Sequence, residues 1–148
     1  MKRAHTVKLS VFVKEYEHEA PIQDALVRFL GFDIEKEKIT IERSRVEGIH
    51  EQKITIFEVL LQKERHVNAF LNALIERLTP EQKALLAQQA DSRTSEDCDF
   101  YIRFDKPKLL KNELAITESG DCFHCKITLA SYPKRKEAAL KIIKEMFK

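Results

Sequence analysis

Two alternating runs separated by a cationic turn constrain this chain more than any other feature. In residues 99–104, Phe100, Ile102 and Phe104 alternate with Tyr101 and Arg103. Residues 122–131 repeat the period, with Cys125, Ile127 and Leu129 on one side. Successive side chains on a strand point to opposite faces, so each run has one face made for a core and one made for solvent. Lys106, Lys108 and Lys111 lie between the runs, and Lys134, Arg135 and Lys136 follow the second, where Tyr132-Pro133 ends it.

The rest of the chain supplies partners for these strands. Residues 6–14 alternate in the same way, Val7, Leu9, Val11 and Val13 against Lys8, Ser10, Phe12 and Lys14. From Pro21 the period lengthens. Ile22, Ala25, Leu26, Phe29 and Leu30 make one helical face, with Pro21 in the first turn and Gly31 as the stop. Residues 38–46 predict a second strand, Ile39 and Ile41 sharing a face with Arg43 and Arg45, and residues 53–61 a third, joined to it by a hairpin turning within 47–52. Residues 63–78 form the clearest helix, with Val67, Phe70, Leu71, Leu74, Ile75 and Leu78 on one side. Thr79-Pro80-Glu81-Gln82 starts a shorter one through a capping box, running to about Ala90. The polar residues 91–97 read as a mobile loop, and 134–147 as a final helix with Ala139, Ile142, Ile143 and Met146 as its stripe. The order β-α-β-β-α-α-β-β-α predicts an α+β domain. Its mostly antiparallel sheet of about five strands carries helices on one face and leaves the other open to a partner.

Composition narrows the function classes. At 148 residues the chain is expected to form a single domain, and 43% hydrophobic with 34% charged residues is the balance of a folded chain with a charged surface. A net charge of +2 excludes a polycation, so nucleic-acid binding requires the 26 basic residues to be segregated from the 24 acidic ones. Three cysteines argue against a disulfide framework. With no apolar signal core and no run long enough to span a membrane, the expectation is a cytoplasmic protein.

Catalytic and metal chemistry find little purchase. Cys122-Phe-His-Cys125, with Cys98, invites a metal reading, but strand parity sends Cys122 and Cys125 to opposite faces, and no second paired-ligand motif completes a tetrahedral site. There is no Gly-x-Ser-x-Gly elbow, Gly-rich phosphate loop or His-Glu-x-x-His, so neither an enzyme nor a cofactor is expected. The basic clusters carry the remaining signal. Arg103, Lys106, Lys108, Lys111, Lys134 and Arg135 are candidates for phosphate contact, and Tyr101 and Tyr132 for stacking on unpaired bases.

Ile-Arg-Phe-Asp-Lys at 102–106 resembles the Arg-x-Asp-Lys motif of an archaeal family described as RNA-binding proteins or predicted exosome subunits. Gly120-Asp121, Ser131-Tyr-Pro-Lys-Arg-Lys-Glu137, the N-terminal strand and the Glu47-Gly48-Ile49-His50 turn are similar to later parts of the same pattern. Pro107 stands where the family has Gln, Tyr16-Glu-His-Glu19 replaces an Ala-Thr-Glu-Asp-like segment, and Glu51-Gln52 replaces a Gly-Asn turn. The resemblance implies a two-layer sandwich like that of large-subunit ribosomal protein five. It also implies binding of structured or processed RNA, association with exosome components, and no catalysis. The competing expectation is an assembly subunit that forms a homodimer through the open sheet face without touching RNA. A contiguous apolar patch there would favour it, and Phe12 is its hint.

Overall fold

The structure, a computed structural model, describes residues 2–48, 50 and 52–148. The elements in order are β1 (Ala4–Val13), α1 (Glu19–Leu30), β2 (Glu42–Glu47), β3 (Lys53–Leu61), α2 (Glu64–Arg77), α3 (Pro80–Gln88), α4 (Ala90–Arg93), β4 (Asp99–Asp105), α5 (Lys106–Leu110), β5 (Cys122–Leu129) and α6 (Lys136–Met146). The strands form one five-stranded antiparallel sheet in the order β2-β3-β1-β5-β4, the α+β class expected. α1 ends where Gly31, at φ 78°, takes the left-handed conformation a residue with a Cβ resists. Thr79 and Gln82 form the expected reciprocal capping box at the start of α3.

Where the structure departs from the sequence reading, a local bond outbids the pattern. β2 starts at Glu42, four residues late, because the Ile39 amide donates to the Ile34 carbonyl (2.9 Å) and closes a turn through Lys38 at φ 56°. Residues 91–97 are folded rather than loose. They open with the last three residues of α4, and the buried Thr94 hydroxyl donates to the Ala90 carbonyl (2.6 Å). α5 is a short helix within what was expected to be a cationic turn. In the β2–β3 connection, Gly48 accommodates a close approach, since a Cβ there would lie 3.0 Å from Ile54 Cδ1. Ile49 and Glu51 of that turn lie outside the described residues.

The chain gathers into two compact units, each with its own core. One comprises residues 2–7, Leu61–Ile102 and Cys125–Lys148, the other Lys8–Leu60 and Arg103–His124. In the first, Phe70, Phe100, Ile127, Ile143 and Phe147 are buried, and the Phe147 ring lies 5.9 Å from that of Phe100. In the second, Phe29 of α1 meets Phe104 edge-on at 5.0 Å and Phe123 at 6.4 Å. Such buried aromatic pairs add about 0.5–1.5 kcal/mol to the area they remove from water. In both units Phe100, Ile102 and Phe104 of β4 face inward, which leaves Tyr101 and Arg103 on the opposite face of that strand.

Candidate nucleic-acid interface

In the unit built from Lys8–Leu60 and Arg103–His124, the Asp-Lys motif serves the fold. The Asp105 carboxylate accepts from the Lys108 amide (3.0 Å) and so caps α5. Pro107 sits in the first turn, where its missing N–H removes a donor that has no intrahelical partner, so the departure from the family pattern costs the backbone nothing. Lys106 is only 2% exposed. Its ammonium donates to the Phe12 carbonyl (2.7 Å) and to carboxylate oxygens of Glu17 (3.1 Å) and Asp121 (2.9 Å). Lys106 therefore does not belong among the surface cations, where the sequence reading had placed it. The turn that carries it looks polar in sequence, but two carboxylates from distant segments converge on its ammonium. Partial burial pushes the Asp121 carboxyl up, yet the hydrogen bond and charge of Lys106, with Lys14 3.4 Å away, outweigh this and hold it below the usual carboxylate range.

Three predicted cations of this unit remain exposed. Lys108 lies on α5 and Lys111 caps its end. Arg103 stands on the open face, donates to the Glu118 carbonyl (3.0 Å), and lines a hollow of 340 Å³ with Ser10, Phe12, Cys122 and His124. Sequence reasoning missed His124 as a neighbour of Arg103. The signal was available, because 103 on β4 and 124 on the adjacent β5 both occupy outward positions of their strands.

The other unit holds the remaining candidates. Tyr101 is half-buried, and its carbonyl accepts from the Arg93 guanidinium (3.3 Å). Tyr132 is 98% exposed, and Lys134 and Arg135 beside it are exposed as well. Lys136 is committed elsewhere, pairing with Asp91 (3.4 Å) and Glu96 (4.0 Å). Tyr132 and Arg135 share a groove of 690 Å³ with Lys2, His5 and Lys141, three residues the sequence reading did not single out. They arrive there because β1 lies beside β5, where the Ala130 amide donates to the Arg3 carbonyl (2.9 Å), and because Lys141 follows Ala138 by three residues on α6. The second of these was legible from helical spacing; the first required the strand order.

Of the cysteines, Cys122 borders the Arg103 hollow, and neither Cys98 nor Cys125 lines either set. Cys125 is buried in the core, while Cys122 lies on the opposite face of β5, and burial pushes both thiols up, away from the thiolate form. Among the described residues no group of three or more His, Cys, Asp or Glu side chains is placed to hold a metal ion.

Exposed cations beside aromatic rings on and next to an antiparallel sheet are the equipment of a protein that contacts phosphates and bases. The chain belongs to the RNA-binding family, whose sequence model, described as RNA binding, matches residues 6–129. Over 143 residues it is 27% identical to RNA-binding protein PAB1135 of Pyrococcus abyssi, covering 97% of this chain and 93% of that one. It is 26% identical over 141 residues to the uncharacterized protein MJ0213 of Methanocaldococcus jannaschii, covering 94% of each. The structure of Mth689, a DUF54 protein from Methanothermobacter thermautotrophicus, superposes with a TM-score of 0.80 at 24% identity over 99% of both chains, which establishes the shared fold. RNA binding is thus the general function of the family to which the chain belongs, and that family is described by binding rather than by a reaction. No helix of the described residues is long and apolar enough to cross a membrane.

Proposed function

We propose that this protein is a non-catalytic RNA-binding domain whose contacts are made by Arg103, Lys108, Lys111, Lys134, Arg135, Tyr101 and Tyr132. The observation that carries the reading is Arg103, exposed on the open side of β4 in one hollow with the Phe12 ring and His124. A guanidinium next to an aromatic ring serves both a phosphate and a base. Such binding weakens linearly in log affinity with log salt, because each neutralised phosphate releases counterions. Fluorescence anisotropy on structured RNA should show that dependence, and Arg103→Ala should reduce its slope by about one while weakening binding across sequences. An absence of binding at low salt would sink the reading.

A second reading has one observation in its favour. Phe12, Val46 and Leu60 are 54%, 44% and 48% exposed; Phe12 and Leu60 point away from the buried faces of β1 and β3, and Val46 of β2 pairs opposite Ile54. Apolar side chains grouped on an open sheet whose edge strand β2 is exposed along its whole length suit self-association. Light scattering of the RNA-free protein should then give a dimer mass that falls to the monomer in Phe12→Ser. A monomer at every concentration removes this reading.

A further inference from the structure

We propose that the groove beside the start of α6 holds a single nucleotide of an unpaired RNA strand, its phosphate at the first turn of α6 and its base on the Tyr132 ring. This rests on the RNA-binding reading above and adds a specific site and strand state to it.

Four independent features converge on the groove. The first is charge: Lys2, Arg135 and Lys141 line it against the one carboxylate of Glu137, with His5 alongside. The second is the helix end. α6 runs for 11 residues from Lys136, its N-cap Arg135 makes no side-chain cap bond, and the first helical bond comes from the Ala139 amide to the Arg135 carbonyl (3.1 Å). The amides of Lys136, Glu137 and Ala138 therefore lack a capping acceptor, and a helix N-terminus of this kind favours an anion.

The third feature is Ser131. This residue lines the groove, is 9% exposed, and its hydroxyl is the one buried side-chain polar atom among the described residues without a hydrogen-bond partner. A buried hydroxyl left unpaired costs free energy, and native structures leave few of them. The oxygen is closed to solvent in this conformation, and rotation of the short Ser131 side chain toward the groove would let a ligand oxygen supply the partner. The fourth is apolar lining: Pro133, Ala138 and Ile142 share the groove with Tyr132, which is 98% exposed. A ring presented so fully to solvent is available to stack on a base, and only a base released from pairing offers its face. At 690 Å³ the groove also lies within the range of about 300–1,000 Å³ of small-ligand sites.

The test uses the full chain, with a single-stranded oligouridine and a blunt duplex of equal length as probes. Tyr132→Ala should weaken single-strand binding by at least about fivefold, the low end of base stacking, and Lys141→Glu should weaken it further. Duplex binding should fall by less than single-strand binding in both variants. Both positions are exposed, so circular dichroism should report an intact fold. Titration with uridine monophosphate, followed by amide NMR, should shift the Lys136, Glu137 and Ala138 resonances ahead of all others. Equal losses on single strand and duplex, no loss in either variant, or shifts centred elsewhere overturn the groove and leave the general reading standing. Failure of the parent protein to bind either RNA overturns both.

Discussion

Lys106→Met should lower the unfolding free energy by about 3 kcal/mol, the low end of what breaking a buried ion pair costs. The low end applies because the partners keep some water: the Glu17 and Asp121 side chains are 19% and 35% exposed, and Lys14 remains beside Asp121. Part of the loss falls on the Phe12 carbonyl, whose donor is removed. In a chain of this size such a change lowers Tm by about 6–12 °C, readable in a urea or thermal melt. The pH dependence gives an independent check. Asp121 has a folded-state pKa below its unfolded one, so its stabilising contribution is complete above the unfolded value of about 4 and is lost as pH falls through the lower folded value. The variant lacks the main group that lowers this pKa, so its stability should decline less than the parent's over that acid window. Because the ammonium is occupied inside the protein, the folded variant should bind RNA like the parent. Unchanged stability with lost RNA affinity would return Lys106 to the surface role the sequence first suggested.

Elements with long, regular periods were legible from sequence. β3 matches its reading at both ends, α2 falls within one residue of it, and the alternation of β4 separates its buried and exposed faces correctly. What escaped was decided by partners far along the chain. Nothing around Lys106 announces that Glu17 and Asp121 will meet there, and a lysine in a polar turn is ordinarily solvated. Residues 91–97 are polar enough to look unstructured, yet the Arg93 guanidinium reaches Gln89 (2.8 Å) and the Tyr101 carbonyl (3.3 Å) and fixes the segment against β4. α5 was within reach, since Asp105 followed by Pro107 is the same cap-and-proline signal that correctly placed α3. The candidate site was half legible for the same reason. Tyr132 and Arg135 are near neighbours in sequence, but Lys2 and His5 join them only through the pairing of β1 with β5.

Adjacent residues of β4 should separate stability from binding. Phe104→Ala removes a ring with no solvent exposure that meets Phe29 edge-on at 5.0 Å, and it should cost about 3–5 kcal/mol, as large-to-small core changes do. The upper part of that range applies if the cavity cannot close, and Phe29 is poorly placed to close it because Phe123 holds it from a second side at 6.4 Å. Arg103→Ala, one position away and on the other face, keeps every core contact and loses only a hydrogen bond to an exposed carbonyl, so its stability should stay within about 0.5 kcal/mol of the parent. Denaturant melts and RNA anisotropy on the two variants should therefore give opposite patterns: Phe104→Ala less stable but binding normally where it is folded, Arg103→Ala stable but binding weakly. If Phe104→Ala melts like the parent, the inward assignment of Phe104 fails. If Arg103→Ala instead loses several kcal/mol, the arginine is a structural tether of the loop that carries Glu118 rather than a contact for RNA.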